Sequence, residues 1–486
     1  MSELPFPEKL RCLPYLETIW RFLRDHGCRV YLVGGILRDI ILERLEPRCG
    51  FDIDLAVTGD LLAVSSRLAR TIKAGNVLLD DVHLTVRLLK ETDQGPLCID
   101  ISQLRAESIE KDLKLRDFTV NALAVDLDHV FGAPAGIKGP GQVPLIDTTG
   151  GLGDLKVRRL RHAAERAFRD DPLRVLRGFR LAAELDFEFS PATVELAVSS
   201  AHLLKNVSRE RIRDELVKTL TCSKSSARLK MALEAGALTA ALPGFDRDSI
   251  ESWIDLIETG ELQRVSECFM KESVALGLRS YLEVCQVTGR VRTALFKLAL
   301  LIGFTPSGKK TTPRLAGDLL ALARREIKVV SRIINGACFL LPGDGGYGLL
   351  EEKNLKELLD HQTDVPPGHP VRRAVFRFYQ LAADDVPGAV LAAMAVKRLN
   401  RGAIPPSGER FGEPVGVLLT DYWRSGNRLA TPPLFLNGAD LISSLKVPEG
   451  PRVGTVLAAL KEASAVGVVD SREEAREWVQ DYLNKM

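Results

Sequence analysis

LVGGILRD, residues 32–39, and FDIDLAV, residues 51–57, decide the fold. Leu32 and Val33 end a short β-type run, RVYLV (29–33), which stops at Gly34-Gly35; Ile36–Leu45 then has helical apolar spacing. FDIDLAV alternates, with Phe51, Ile53 and Leu55 on one side of a strand and Asp52 and Asp54 on the other. Two unpaired carboxylates are costly in a core. On one open strand face they suit hard, oxygen-seeking cations such as Mg²⁺, and two such ions can hold the attacking hydroxyl and the leaving phosphate of a nucleotidyl transfer. A side-chain-free turn at Gly34 and Gly35 lets backbone N–H groups approach a triphosphate. Arg38, one turn into the following helix, is placed to reach the same anion. Each signal alone has a plain reading, as a tight turn or as the solvated edge of a strand, and the glycines match neither the dinucleotide fingerprint nor a Walker loop. In this order, on these elements, they read as a nucleotide site with Asp52 and Asp54 as its catalytic, metal-holding pair.

Outward from this core, Leu16–His26 predicts a helix, and Val82–Leu89, Leu97–Ile101 and Asn121–Leu127 predict strands. The glycine-rich turns GAPAGIKGPGQ and TTGGLGD then mark a boundary or hinge. From about residue 155 strand signals fade, and segments 162–186, 208–221, 227–240, 290–302 and 314–335 have helical periodicity. NRGAIPPSGERFGEP (400–414) reads as a linker or long loop, and the region 430–486 ends in the charged helix SREEAREWVQDYLNKM. The expected architecture is an α/β head followed by a long all-helical part.

The 486 residues exceed one hydrophobic core and predict two to four domains. A hydrophobic content of 45% and a charged content of 27% describe an ordinary soluble chain. The net charge of +2 does not announce a nucleic-acid partner, so any basic surface must be local. Eight cysteines, none in a Cys-x-x-Cys pair, argue against zinc and against a disulfide framework, and favour reduced thiols in a cytoplasmic protein. MSELPFPEKLRC at the start lacks the apolar run of a signal peptide, and no stretch is apolar enough to predict a membrane span.

A second constellation lies in FRDDPLRVLRGFRLAAELDF (168–187). Asp171 and Arg174 are three apart and so share a helix face, and Arg177 and Arg180 continue the spacing. A carboxylate beside a guanidinium presents an acceptor next to a donor fork. Cytosine offers an amino donor at N4 beside an acceptor at N3, and adenine does the same at N6 and N1. Uracil and guanine show the opposite order. The pair could therefore accept C or A and reject U and G. Its plain reading is an i,i+3 salt bridge; three arginines in series after a hinge and a D-x-D favour function. Arg158, Arg159, Arg161, Arg166 and Arg169, with Lys156, are candidates for a phosphate-facing surface.

These residues resemble the first motif of the class II tRNA nucleotidyltransferases and bacterial poly(A) polymerases, members of the polymerase β-like nucleotidyltransferases. KLRDFTVNALAVDL (114–127) is similar to the family's second motif, LIDTTGGLGDLKVRRLRH (145–162) to its hinge, FRDDPLRVLRGFRLAAELDF to its base-reading helix and VSRERIRDELVKTL (207–220) to the next helix. Several motifs in order are far more specific than one. A weaker likeness returns at LNGADLISSLKVPEGPRVG (436–454). The resemblance implies a head (1–150), a helical neck (151–240), a helical body (241–400) and a tRNA-binding tail (401–486). It implies that Asp52 and Asp54 hold the metals, that Gly35, Arg38 and Arg116 contact nucleotide phosphates or ribose, and that Asp117 lies near the ribose. The family's usual Glu-Asp is Asp170-Asp171 here.

Two absences qualify the resemblance. Many relatives carry a His-Asp phosphohydrolase domain after the neck; here no histidine lies between His202 and His361, and RTALFKLALLIGFTPSG (292–308) has no His-Asp pair, so a fold of that kind would be a degenerate remnant. His83, His129, His162 and His202 read as ordinary histidines. The flexible loop that in the family accompanies full CCA addition looks deleted, since CIDISQLR (98–105) runs almost directly through AESIEKDL into KLRDF. In the family that deletion accompanies addition of the two cytidines alone. Asp100 is a candidate third carboxylate. The expectation is a Mg²⁺-dependent tRNA nucleotidyltransferase using CTP, and ATP if it completes CCA, with CC addition favoured. A poly(A) polymerase and a non-catalytic RNA-binding protein remain the alternatives, the latter opposed by the intact Asp52 and Asp54. The oligomeric state is left open.

Overall fold

A computed structural model describes residues 2–4, 7–44, 51–80, 84–93, 95–132, 143–222, 225–259, 272–284, 291–304, 320–343, 346–349, 355–359, 366–400, 412–424 and 426–485. His83, His361, most of the turn 132–142, the stretch 305–308 and residues 401–411 of the expected linker lie outside the described residues. Two compact units emerge, Met1–Ser208 with Glu234–Ala241, and Arg209–Leu233 with Leu242–Met486.

The first unit opens with β1 (Ser2–Leu4), α1 (Pro7–Arg11) and α2 (Leu16–Asp25). The motif region follows as β2 (Val30–Val33), α3 (Gly35–Ile41), β3 (Phe51–Val57), α4 (Leu61–Ile72), β4 (Gly75–Asp80), β5 (Thr85–Thr92) and β6 (Gly95–Gln103). Then come α5 (Ile109–Leu113), a 3-10 turn at Thr119–Asn121, β7 (Ala124–Asp126), α6 (Asp128–Phe131) and β8 (Val143–Leu145). A six-stranded mixed sheet runs β4-β5-β6-β3-β2-β7, parallel only between β3 and β6. Alternation in β3 is clean at its start: Phe51, Ile53 and Leu55 are buried, Asp52 is exposed and Asp54 half-buried. The sequence reading overlooked β4, an edge strand with Val77, Leu78 and Leu79 all exposed and a β-bulge between Leu78 and Asp80. Its lack of alternation hides it. The strand expected over 121–127 is shorter, because Thr119–Asn121 is wound as a 3-10 turn. The helix expected over 36–45 stops at Ile41.

Helices α7 (Gly151–Lys156), α8 (Ala167–Asp170), α9 (Leu173–Leu185) and α10 (Pro191–Ser200) follow in the same unit. The helix read over 162–186 is therefore broken. Pro172 disfavours the helical conformation of the residue before it, and Asp171 is extended, at φ −143° and ψ 100°. The periodicity read over 227–240 is broken too, into helices Ser225–Glu234 and Ala237–Ala241, with Gly236 at φ +75° between them.

The second unit is helical apart from one short hairpin among its described residues. Arg292–Phe304 and Arg324–Leu340 lie in its core; of the helix expected over 314–335, residues 314–319 lie outside the described residues. Its last helices, Gly438–Ser443, Pro451–Ala465 and Arg472–Asn484, enclose a small core of Leu436, Leu441, Val456, Leu460 and Val479. Among the described residues no helix is long and apolar enough to cross a membrane.

Candidate functional site

Asp52 and Asp54 stand on one face of β3, as alternation requires. Antiparallel register sets Val33 of β2 opposite Asp54, so the turn that follows Val33 falls beside that carboxylate. Gly34 has φ +80°, and a Cβ there would lie 2.6 Å from Asp54 Oδ2. Only glycine combines that backbone conformation with that approach. Burial first, then the neighbouring Asp52 charge, pushes Asp54 up to about 6, against the opposing pull of Arg116 and Arg177. The same causes, burial and then Asp52, raise the Cys98 thiol to about 12.

Asp100 stands opposite Asp54 on β6. It is held by Arg87, whose Nε and Nη2 donate to its two oxygens at 2.8 and 2.7 Å. A third free carboxylate at this position is thus replaced by a bidentate ion pair. Among the described residues no three His, Cys, Asp or Glu side chains gather as a metal cluster.

The second motif follows α5. Arg116 donates from Nε to Asp112 Oδ2 at 3.3 Å, and Asp112 also accepts the Arg105 amide at 3.0 Å. Asp117 is buried. Its Oδ1 accepts the Phe118 amide at 2.7 Å and Asn121 Nδ2 at 3.4 Å, and its Oδ2 lies 2.8 Å from Arg177 Nε. Burial alone would raise Asp117, but Arg177, Arg174 and those two donors hold it below the usual carboxylate range. Arg38 is also buried, where the sequence placed it facing an anion. Its guanidinium donates to Asn121 Oδ1 at 2.7 Å and to both oxygens of Asp39 at 2.9 and 3.0 Å, and it lies 3.8 Å from Glu184. Gly35 packs against it, since a Cβ there would be 3.2 Å from Arg38 Nη2.

The base-reading candidates surround the break between α8 and α9. Asp171 and Arg174 do not share a helix face; Asp171 sits in the break and accepts the Leu173 amide at 3.3 Å. Arg174 Nη1 donates to the carbonyls of Leu115 and Ala167, both at 3.2 Å, so it joins the second motif to α8. Burial lowers Arg174, while Asp117 and Asp171 pull the other way, which places both acids in its field. The continuing arginines diverge: Arg177 meets Asp117, and Arg180 donates to Glu184 at 2.5 Å. Of the basic residues between 156 and 169, Arg161 is taken up by Asp154 and the Thr149 carbonyl, whereas Lys156, Arg158, Arg159, Arg166 and Arg169 are exposed, Arg166 lying 3.7 Å from Asp170. His162 is bonded to Thr193 Oγ1 at 3.0 Å. Behind them Asp147 accepts the amides of Gly150, Gly151 and Leu152 at 2.8, 2.8 and 2.9 Å, fixing the start of α7.

Asn121, Glu184, Asp112 and Arg87 were missed by the sequence reading. Asn121 lies inside the quoted second motif, which is the one signal that could have flagged it.

A profile described as the poly A polymerase head domain matches residues 30–161, and one described as the probable RNA and SrmB-binding site of polymerase A matches residues 186–249. A CC-adding tRNA nucleotidyltransferase of Synechocystis sp. is 28% identical over 452 residues, 93% of this chain and 92% of that protein. A CCA-adding enzyme of Streptococcus uberis is 35% identical over 265 residues, 52% of this chain and 59% of that protein. The Bacillus stearothermophilus CCA-adding enzyme, solved in complex with CTP, aligns with a TM-score of 0.61 at 22% identity, over 100% of this chain and 99% of that one, a likeness of fold. The chain is a nucleotidyltransferase, and its likeness is to the class II tRNA nucleotidyltransferases and bacterial poly(A) polymerases.

Proposed function

We propose that this enzyme transfers CMP from CTP to the 3′ end of tRNA, releasing pyrophosphate, and that it stops after two cytidines. The observation that carries the reaction is the strand face on which Asp52 and Asp54 stand beside a glycine turn, so close that a Cβ at Gly34 would fall 2.6 Å from Asp54 Oδ2. The acceptor's 3′-hydroxyl oxygen bonds the α-phosphorus, the α–β bridging bond breaks, and the hydroxyl proton leaves to solvent. Asp52 and Asp54 would hold divalent cations, Mg²⁺ in our reading, which supply charge neutralisation at the reacting oxygens. The donor set fits: two carboxylates share a face and crowd one another, and no described residue forms an ion pair with either. The Gly34-Gly35 turn admits the triphosphate against backbone N–H groups. Asp117 and Arg116 flank the ribose. Asp171 and Arg174 read the base edge. Arg177, Arg180 and Arg38 hold this frame through Asp117, Glu184 and Asn121. The parts named head (1–150), neck (151–240), body (241–400) and tail (401–486) belong to the same proposal.

Stopping at CC is supported by the short path from β6, which ends at Gln103, through α5 to Arg116, and by the CC-adding relative that spans nearly the whole chain. Both matching profiles are described in terms of poly A polymerase, which makes that activity the second reading. Incubation of the enzyme with tRNA lacking its CCA end, with each NTP separately and with CTP and ATP together, followed by sequencing of product ends, decides. Two added cytidines support the proposal, a third residue of A makes it a CCA-adding enzyme, and long A tracts on any RNA establish the second reading.

A further inference from the structure

The sheet face that bears Asp52 and Asp54 is covered at one end and open at the other. At the β2 end, register places Tyr31, Val33 and Ala56 on this face, and they pack under Ile109 and Leu113 of α5. At the other end the same face continues through Cys98 and Asp100 of β6, Arg87 and Leu89 of β5, and Gly75 and Val77 of β4. Leu89 and Val77 are each 47% exposed, and Gly75 opposite Leu89 adds no side chain above the strand. The alternate residues, Val86 and Leu88, are buried on the far face, where α4 packs.

Displacement at phosphorus requires the attacking and leaving oxygens on opposite sides. The glycine turn and the Asp117–Arg177 pair stand on the β2 side of the carboxylates. A nucleotide held there directs its leaving group to that side and receives its attacker from the β6 side, which is the open half. We propose that this strip, from Cys98 across Leu89 to Val77 with Arg87 beside it, seats the 3′-terminal nucleotides of the acceptor RNA; the proposal rests on the nucleotidyl-transfer reading above. A flat aliphatic surface accepts the π-face of any base. Arg87 neutralises Asp100 on the strip, while the exposed Glu91 lies at its edge, two residues beyond Leu89 on the same face. Arg87 Nη1 has no acceptor among the described residues and is available to a phosphate or ribose oxygen.

The test uses the full chain, CTP, and tRNA lacking its CCA end. Leu89→Glu and Val77→Glu replace exposed side chains, so folding should survive; Tm is recorded for both. The expected result is a rise of about tenfold or more in KM for tRNA, the loss of one stacked base, with KM for CTP and Tm unchanged, and restoration of KM for tRNA in Leu89→Phe. A tRNA with 4-thiouridine at its 3′ terminus should crosslink to the peptide containing Leu89 or Val77. An unchanged KM for tRNA in both Glu variants, or a crosslink confined to other strands, overturns the proposal. Loss of self-association with unchanged KM would overturn it too, by assigning the strip to a second copy of the chain. A wild-type chain that extends no RNA would defeat the transfer reading, and the crosslink would still decide the surface.

Discussion

The carboxylates of β3 and those around the second motif are chemically alike and differently kept. Asp100, Asp112, Asp117 and Asp154 each have an arginine within 3.3 Å, namely Arg87, Arg116, Arg177 and Arg161. Asp52 and Asp54 have no ion pair among the described residues, and Asp54 is pushed up while Asp117 is held down. Carboxylates that hold structure bring their counter-charge with them. On the proposed reading, the pair that lacks one is left to a cation from solution.

The largest test of this contrast is Asp52→Ala or Asp54→Ala. Transfer should fall by about a thousandfold or more, because charge stabilisation at the reacting oxygens is lost, while tRNA binding stays close to wild type. Single-turnover rates within about tenfold of wild type would erase the distinction. A smaller effect is expected at Asp171, which stands between the two classes, near Arg174 and engaged with a backbone amide. Asp171→Ala should lower kcat/KM for CTP by about tenfold and raise it for UTP, since a hydrogen bond to a charged group contributes about 1.5–3 kcal/mol. An unchanged CTP-to-UTP ratio would make Asp171 a turn residue only.

The smallest effect has opposite signs at the two sites. Asp54 has a raised folded pKa, so its cost is absent below its ordinary 3.8 and fully present above about 6. In EDTA at pH 7, Asp54→Asn should therefore raise Tm by a few degrees, with the gain vanishing as pH falls through that window and shrinking when Mg²⁺ is added to both proteins. Asp117 is depressed, so its contribution is present above the ordinary carboxylate range and lost only in stronger acid. Asp117→Asn should lower Tm at pH 7, by about 1–3 kcal/mol of stability, because the Arg177 pair loses its charge. Equal signs in calorimetry would mean that both carboxylates are structural.

The strand that bears the two carboxylates was legible because a period of two is local: Phe51, Ile53 and Leu55 against Asp52 and Asp54 needs no partner to be read. The break at Asp171 was hidden because apolar spacing runs on through 168–187, and the weight given to periodicity overrode Pro172. Arg38 was read as facing an anion because its partner Asn121 lies 83 residues away, and no local pattern reveals such a bond. The same holds for Arg87 and Asp100, paired across strands by register.

The bulge between Leu78 and Asp80 bears on solubility rather than catalysis. An edge strand with three consecutive exposed aliphatic residues is a template on which a neighbouring chain could add its own strand. One extra residue in the ladder increases local twist and throws the hydrogen-bonding groups out of step. A stranger's strand would find no continuous row of partners there, so the apolar edge can stay uncovered without seeding aggregates.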